Sequence, residues 1–142
     1  MTVQRGKKPK YLIRAERGLL NGHIWQRALQ SYPTDLVCSI RQQLVERVPG
    51  LTEKFNRRCR YFGYWVGACE DKVYIYVQKK NLRIDLDIDR KFEQELRKAG
   101  YEVRYSNNYQ GRAGWITGWY VPQSTTDVKT VLKWLSKAFE QE

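Results

Sequence analysis

The run Arg57-Arg58-Cys59-Arg60-Tyr61-Phe62-Gly63-Tyr64-Trp65 interleaves cations with aromatic rings. Guanidinium groups pair with phosphates and rings stack on bases, so the combination suits a polyanion that carries flat rings. On a strand, alternate residues share a face, and Arg58, Arg60, Phe62 and Tyr64 share one parity. If they face outward together, they form a platform for bases and phosphates. The competing reading places Phe62 and Tyr64 in a second layer of the core. Tyr64, Trp65 and Arg112 are the candidates for base contact, and Arg57, Arg58 and Arg60 those for phosphate.

Two other groups of cations join this set. Lys7, Lys8, Lys10, Arg14 and Arg17 lie near the N-terminus, and Lys79-Lys80 sits between two apolar alternations. The first sixty residues hold 13 Lys/Arg and 4 Asp/Glu, a net +9 of the chain's +11. Such an asymmetric field raises the local concentration of polyanions, of which nucleic acid is the commonest. A solubilising terminus, an acidic protein partner or an anionic membrane are the other readings of the same charge.

Other chemistries find less support. Trp115, Trp119 and Tyr120 follow a loop with Tyr109 and Arg112, and an aromatic pocket of this kind can hold a flipped base. Large aromatics are more often core. A divergent metal-dependent nuclease would need carboxylates at the ends of neighbouring strands. Asp71, Gln78 and Lys80, with Glu46, resemble such a set loosely. Asp71 and Gln78 are about seven residues apart on one strand, roughly 23 Å, too far to share a metal. Asp85, Asp87 and Asp89 alternate with apolar residues and read more simply as a solvated strand face. His23 is the single histidine, which leaves hydrolase chemistry without a base. Cys38, Cys59 and Cys69 have neither disulfide nor zinc spacing and read as small buried thiols. No metal or cofactor is expected.

The elements that must position these residues follow from periodicity. Hydrophobic residues make up 42% of the 142 residues, enough for the core of one domain. No apolar run reaches the roughly 18 residues of a membrane span, and the start lacks a signal peptide, so a cytoplasmic protein is expected. Residues 1–33 read as a basic N-terminal extension and 34–142 as the folded domain. Within the extension a short strand or helical turn precedes a helix around Ile24–Gln30.

Leu36, Val37, Ile40 and Leu44 mark a helix opened by Pro33-Thr34 and closed by Pro49-Gly50. An aromatic strand runs from Arg58 to Cys69. Val73, Ile75 and Val77 alternate with Tyr74 and Tyr76, and Leu82, Ile84, Leu86 and Ile88 with Arg83, Asp85 and Asp87. Pairing about Lys79-Lys80 sets Val77 opposite Leu82, Ile75 opposite Ile84 and Val73 opposite Leu86, all on one face. Tyr76 then meets Arg83 and Tyr74 meets Asp85 on the other, and a one-residue slip would mix the faces.

A helix capped by Asp89 carries Phe92, Leu96 and Ala99 and ends at Gly100. Strands Tyr101–Ser106 and Trp115–Val121 follow. A last helix, with a capping-box-like Ser124 and Asp127, carries Val128, Val131, Leu132, Leu135, Ala138 and Phe139. Hairpins outnumber crossovers. The expected fold is α+β, a mostly antiparallel sheet of about five strands with helices on one face.

The segment Lys72–Leu86, with its Lys-Lys pair between two strands, resembles a small α+β domain family. That family occurs as the C-terminal domain of bacterial "predicted transport protein" sequences and beside restriction-type domains. The Gly111–Gly114 loop and the capped terminal helix extend the likeness over 35–140. The resemblance implies the α+β fold and an association with DNA-handling systems, and it brings no catalytic residues. The aromatic run also resembles an RNA-recognition signature, but the flanking topology does not suit that fold.

The residues thus point to a non-enzymatic accessory domain that binds nucleic acid, largely through charge. A protein-interaction module and a divergent nuclease are the alternatives. DNA or RNA, single or double stranded, stays open.

Overall fold

A computed structural model describes residues 12–14, 23–67, 73–86, 90–106 and 116–140. Seven strands form one antiparallel sheet in the order β1-β2-β3-β4-β5-β7-β6. They are β1 (Leu12–Arg14), β2 (Leu51–Asn56), β3 (Tyr61–Val66), β4 (Val73–Val77), β5 (Asn81–Leu86), β6 (Glu102–Ser106) and β7 (Ile116–Pro122). The helices are α1 (His23–Ala28), α2 (Asp35–Arg47), α3 (Arg90–Lys98) and α4 (Val128–Glu140). The fold is α+β, as the periodicities require. Two strands go beyond the expected five: β1 pairs with β2, and β2 pairs along its whole length with β3.

The β4–β5 register matches the alternation residue for residue, with Val77 opposite Leu82, Ile75 opposite Ile84 and Val73 opposite Leu86. Gln78 N–H donates to the Asn81 carbonyl at 3.0 Å, closing the turn around Lys79-Lys80. Phe55, Phe62, Ile75, Ile84, Trp119 and Val103 form a continuous cross-strand row on the core face. Leu29, Val37, Ile40 and Leu44 join the same core from the first two helices, Phe92 and Leu96 from α3, and Val131, Leu132, Leu135 and Ala138 from α4. By the register, every strand residue of this core lies on the same side of the sheet, so the described helices contribute to one face.

Local chemistry explains the helix ends. Gly100, at φ +97°, ends α3 in a Schellman turn: Tyr101 N–H donates to Leu96 O and Gly100 N–H to Arg97 O. At α4 the cap is Asp127 rather than Ser124, because Asp127 Oδ1 accepts from Thr130 N–H at 3.0 Å. The packed unit also begins before residue 34. Leu29 is 1% exposed within the core and Trp25 packs edge-on against Phe62. Residues 1–11, 15–22, 68–72, 87–89, 107–115 and 141–142 lie outside the described residues. Among the described residues, no helix is long and apolar enough to cross a membrane.

Candidate nucleic-acid interface

The first correction concerns β3. Its outward face is Tyr61, Gly63 and Trp65, and its inward face is Phe62 and Tyr64, both 0% exposed. Arg58 and Arg60 do not lie on the strand; they belong to the turn between Asn56 and Tyr61. Tyr64 therefore cannot stack on a base at the surface. Its hydroxyl instead donates to Glu53 Oε2, which also accepts from Arg41 Nε at 3.0 Å. The Arg41 guanidinium lies 4.5 Å from the Trp25 ring centroid and 4.6 Å from that of Phe62.

This triad is buried, and burial governs its protonation. Burial holds the Glu53 carboxyl above its ordinary value, with Arg41 and Tyr64 pulling the other way. Burial opposes the charge on Arg41, but Glu53 and Tyr64 more than offset it and raise the guanidinium. Burial, with Glu53 beside it, raises the Tyr64 phenol well above its usual range, so it stays a donor. Both hydrogen bonds of the triad use Glu53 Oε2, and Glu53 Oε1 is buried without a hydrogen-bond partner.

The sheet topology brings other residues together. The β2–β3 turn carries Arg57, Arg58 and Arg60, and the β4–β5 turn carries Lys79 and Lys80. Tyr61 pairs with Tyr76, so these two turns lie at the same end of the sheet. Val77 N–H donates to the Arg60 carbonyl at 3.1 Å and ties the turns together. Tyr32, just before α2, anchors them: the Arg60 guanidinium is 5.1 Å and Lys79 Nζ 5.2 Å from its ring centroid. Arg57, Arg58, Lys79 and Lys80 are exposed. Among the described residues, none of these five cations makes an ion pair, and Arg60 Nε is buried without a hydrogen-bond partner.

The β2–β3 turn has its own constraints. Asn56 Oδ1 accepts from Cys59 N–H at 2.8 Å, and the Asn56 carbonyl accepts from Arg60 N–H at 2.8 Å. Arg60 takes φ +58°, the left-handed region that a side chain disfavours. Cys59, expected as a buried thiol, is exposed in this turn, because the strand begins only at Tyr61. Beside the lysines, a cavity of about 540 Å³ opens between the start of α2 and the segment after β7. Lys79 and Lys80 share its lining with Asp35 and Ser124.

The sheet face opposite the core carries a second set. One cross-strand row reads Asn56, Tyr61, Tyr76, Arg83, Tyr120 and Glu102. The next reads Lys54, Gly63, Tyr74, Asp85, Gly118 and Arg104. The Arg83 guanidinium lies 4.0 Å from the Tyr76 ring centroid, and Arg104 lies 5.0 Å from that of Tyr120. Lys54 Nζ lies 5.8–5.9 Å from the rings of Tyr61, Trp65 and Tyr74.

Two glycines make room for this layer. A Cβ at Gly63 would come within 3.0 Å of the Lys54 side chain, and one at Gly118 within 3.3 Å of Asp85 Oδ1. Asp85, 4% exposed, accepts from Arg83 Nε and Nη2, each at 3.1 Å. Burial opposes the Arg83 charge, but Asp85 outweighs it and holds the guanidinium above its ordinary value. Arg104 is likewise held by Glu102, at 2.7 Å.

The expected site residues thus divide. Arg57, Arg58, Arg60, Lys79 and Lys80 converge, Trp65 lies on the face opposite the core, and Tyr64 is withdrawn into the core. Arg14 pairs with Thr52 by backbone register. Lys7, Lys8, Lys10, Arg17 and Arg112 lie outside the described residues. Trp119 is core, with Tyr101 packed edge-on against it. Tyr32, Arg83 and Arg104 were absent from the expected set, and Tyr120 entered it only as part of an aromatic pocket, although the Tyr76–Arg83 pairing already followed from the hairpin alternation. Among the described residues, no group of three or more His, Cys, Asp or Glu is placed to hold a metal. No protein-family model, curated protein or solved structure matches the chain.

Proposed function

We propose that the chain is a nucleic-acid-binding module whose primary contact is the hairpin end of the sheet. One observation carries this reading: Arg57, Arg58, Arg60, Lys79 and Lys80 come from turns about twenty residues apart in sequence, yet share one end and have no acidic partner among the described residues. Unpaired cations at one site repel one another, and a polyanion relieves that repulsion while releasing its own counterions. The resemblance of Lys72–Leu86 to a domain found beside restriction-type domains is in keeping with such a partner. The basic N-terminal residues would add to the same field.

Fluorescence anisotropy with labelled single- and double-stranded DNA and RNA at several salt concentrations tests this. Binding that weakens steeply with salt is expected. A protein that leaves both single-stranded and duplex forms free even at low salt rules out the nucleic-acid reading, and a protein-docking surface then takes its place.

A further inference from the structure

The hairpin end accounts for phosphates but not for the ring-bearing face beside it. We infer that the exposed part of this face receives the bases of a single polynucleotide strand, so that the module prefers single-stranded to duplex nucleic acid. The inference rests on the nucleic-acid reading above and specifies its ligand.

The row Tyr76, Arg83, Tyr120 runs across β4, β5 and β7, and Arg104 on the edge strand β6 covers Tyr120. From β4 to β6 the ladder crosses three strand spacings, roughly 14 Å. Rings and guanidinium planes alternate along it. Bases of an unpaired strand stack on both kinds of surface, and a face of this width takes roughly two or three of them.

The two arginines are poorly suited to phosphate. Arg83 is held in a two-point pair by Asp85, and Arg104 is held by Glu102, so each charge is already answered. What the pairing leaves is a flat cation fixed over a tyrosine. The exposure fits: the Arg104 side chain is 70% exposed and Arg83 28%, while Tyr76 and Tyr120 are partly exposed. Tyr61 and Tyr74, at 8% and 7%, support the layer from within rather than offering a surface.

Position links this ladder to the free cations. Tyr76 lies three residues before Lys79, and Arg83 three after Lys80. The ladder therefore runs alongside the charged end. A strand whose phosphates follow the turns turns its bases onto the ladder. A duplex keeps its bases stacked inside and offers this face nothing.

The test compares a labelled DNA 20-mer with its duplex under the same low-salt conditions. The wild-type protein is expected to bind the single strand at least tenfold more tightly. Tyr76→Leu/Tyr120→Leu should lower single-strand affinity tenfold or more and leave duplex affinity unchanged. Arg104→Lys keeps the charge but loses the plane. It should lower single-strand affinity severalfold, and it carries the test alone if the double variant does not fold. Equal affinity for both forms, or a single-strand affinity that Arg104→Lys does not move, overturns the inference while the nucleic-acid reading stands. Absence of binding to either form overturns both.

Discussion

The hairpin end and the sheet face opposite the core are both rich in cations, but they use them in opposite ways. At the end, Arg57, Arg58, Arg60, Lys79 and Lys80 have no acid partner among the described residues. On the face, Arg83 is answered by Asp85 and Arg104 by Glu102, and each lies over a tyrosine. A free cation keeps its full attraction for a ligand and contributes little to the fold. A paired one is geometrically fixed, loses most of its long-range field, and serves as a surface. Arg41 is the limiting case: paired, buried and wholly given to the structure.

Breaking the paired extreme should have the largest effect. Arg41→Ala strands a buried carboxylate, and loss of one partner of a buried pair costs about 3–5 kcal/mol. Urea unfolding of this variant should show a midpoint far below that of the wild type. Next comes the free extreme. Reversing Arg57, Arg58, Lys79 and Lys80 to Glu should reduce the slope of log K against log salt by about 3 to 4 and lower affinity roughly a hundredfold. The thermal midpoint should hardly move. A large drop in the midpoint would show that these cations are structural, and the contrast between the two regions would collapse.

Asp85→Ala lies between these cases. It leaves the half-buried Arg83 without its carboxylate, at a cost of about 1–3 kcal/mol by chemical denaturation.

Acid and base should sharpen the same comparison. Glu53 titrates above its ordinary value in the fold, so the folded state holds its proton more tightly than the unfolded chain. The stability from that proton is complete below the unfolded value and is lost as pH rises through the folded one. Glu53→Gln should remove that decline, which denaturation at a series of pH values will read. The smallest effect is expected at Arg60. Its left-handed backbone costs about 1–2 kcal/mol, so Arg60→Gly should stabilise the turn by about that much while weakening polyanion binding only severalfold.

Much of this fold was legible because its signals are local. The alternation from Val73 to Leu86 set the hairpin and its register, since any slip would put apolar residues on the wrong face. The stripes of α2, α3 and α4 and the glycine after α3 were equally plain. Strand β2 was not, although Leu51 and Phe55 alternate with Thr52 and Lys54. Glu53 sits at the inward position between them, and a carboxylate there is tolerable only beside Arg41, twelve residues away on another element.

What the sequence determined by itself is the three long helices, five of the strands, the charge and the hairpin alternation, all of which depend on near neighbours. The tertiary structure decided which parity of Tyr61–Val66 is buried, because both parities carry aromatics and only the packing of Trp25 and Phe55 against Phe62 separates them. It also decided that two turns twenty residues apart share one end. Strand order in a sheet is fixed by how the whole core closes, and no local pattern of charge can specify it.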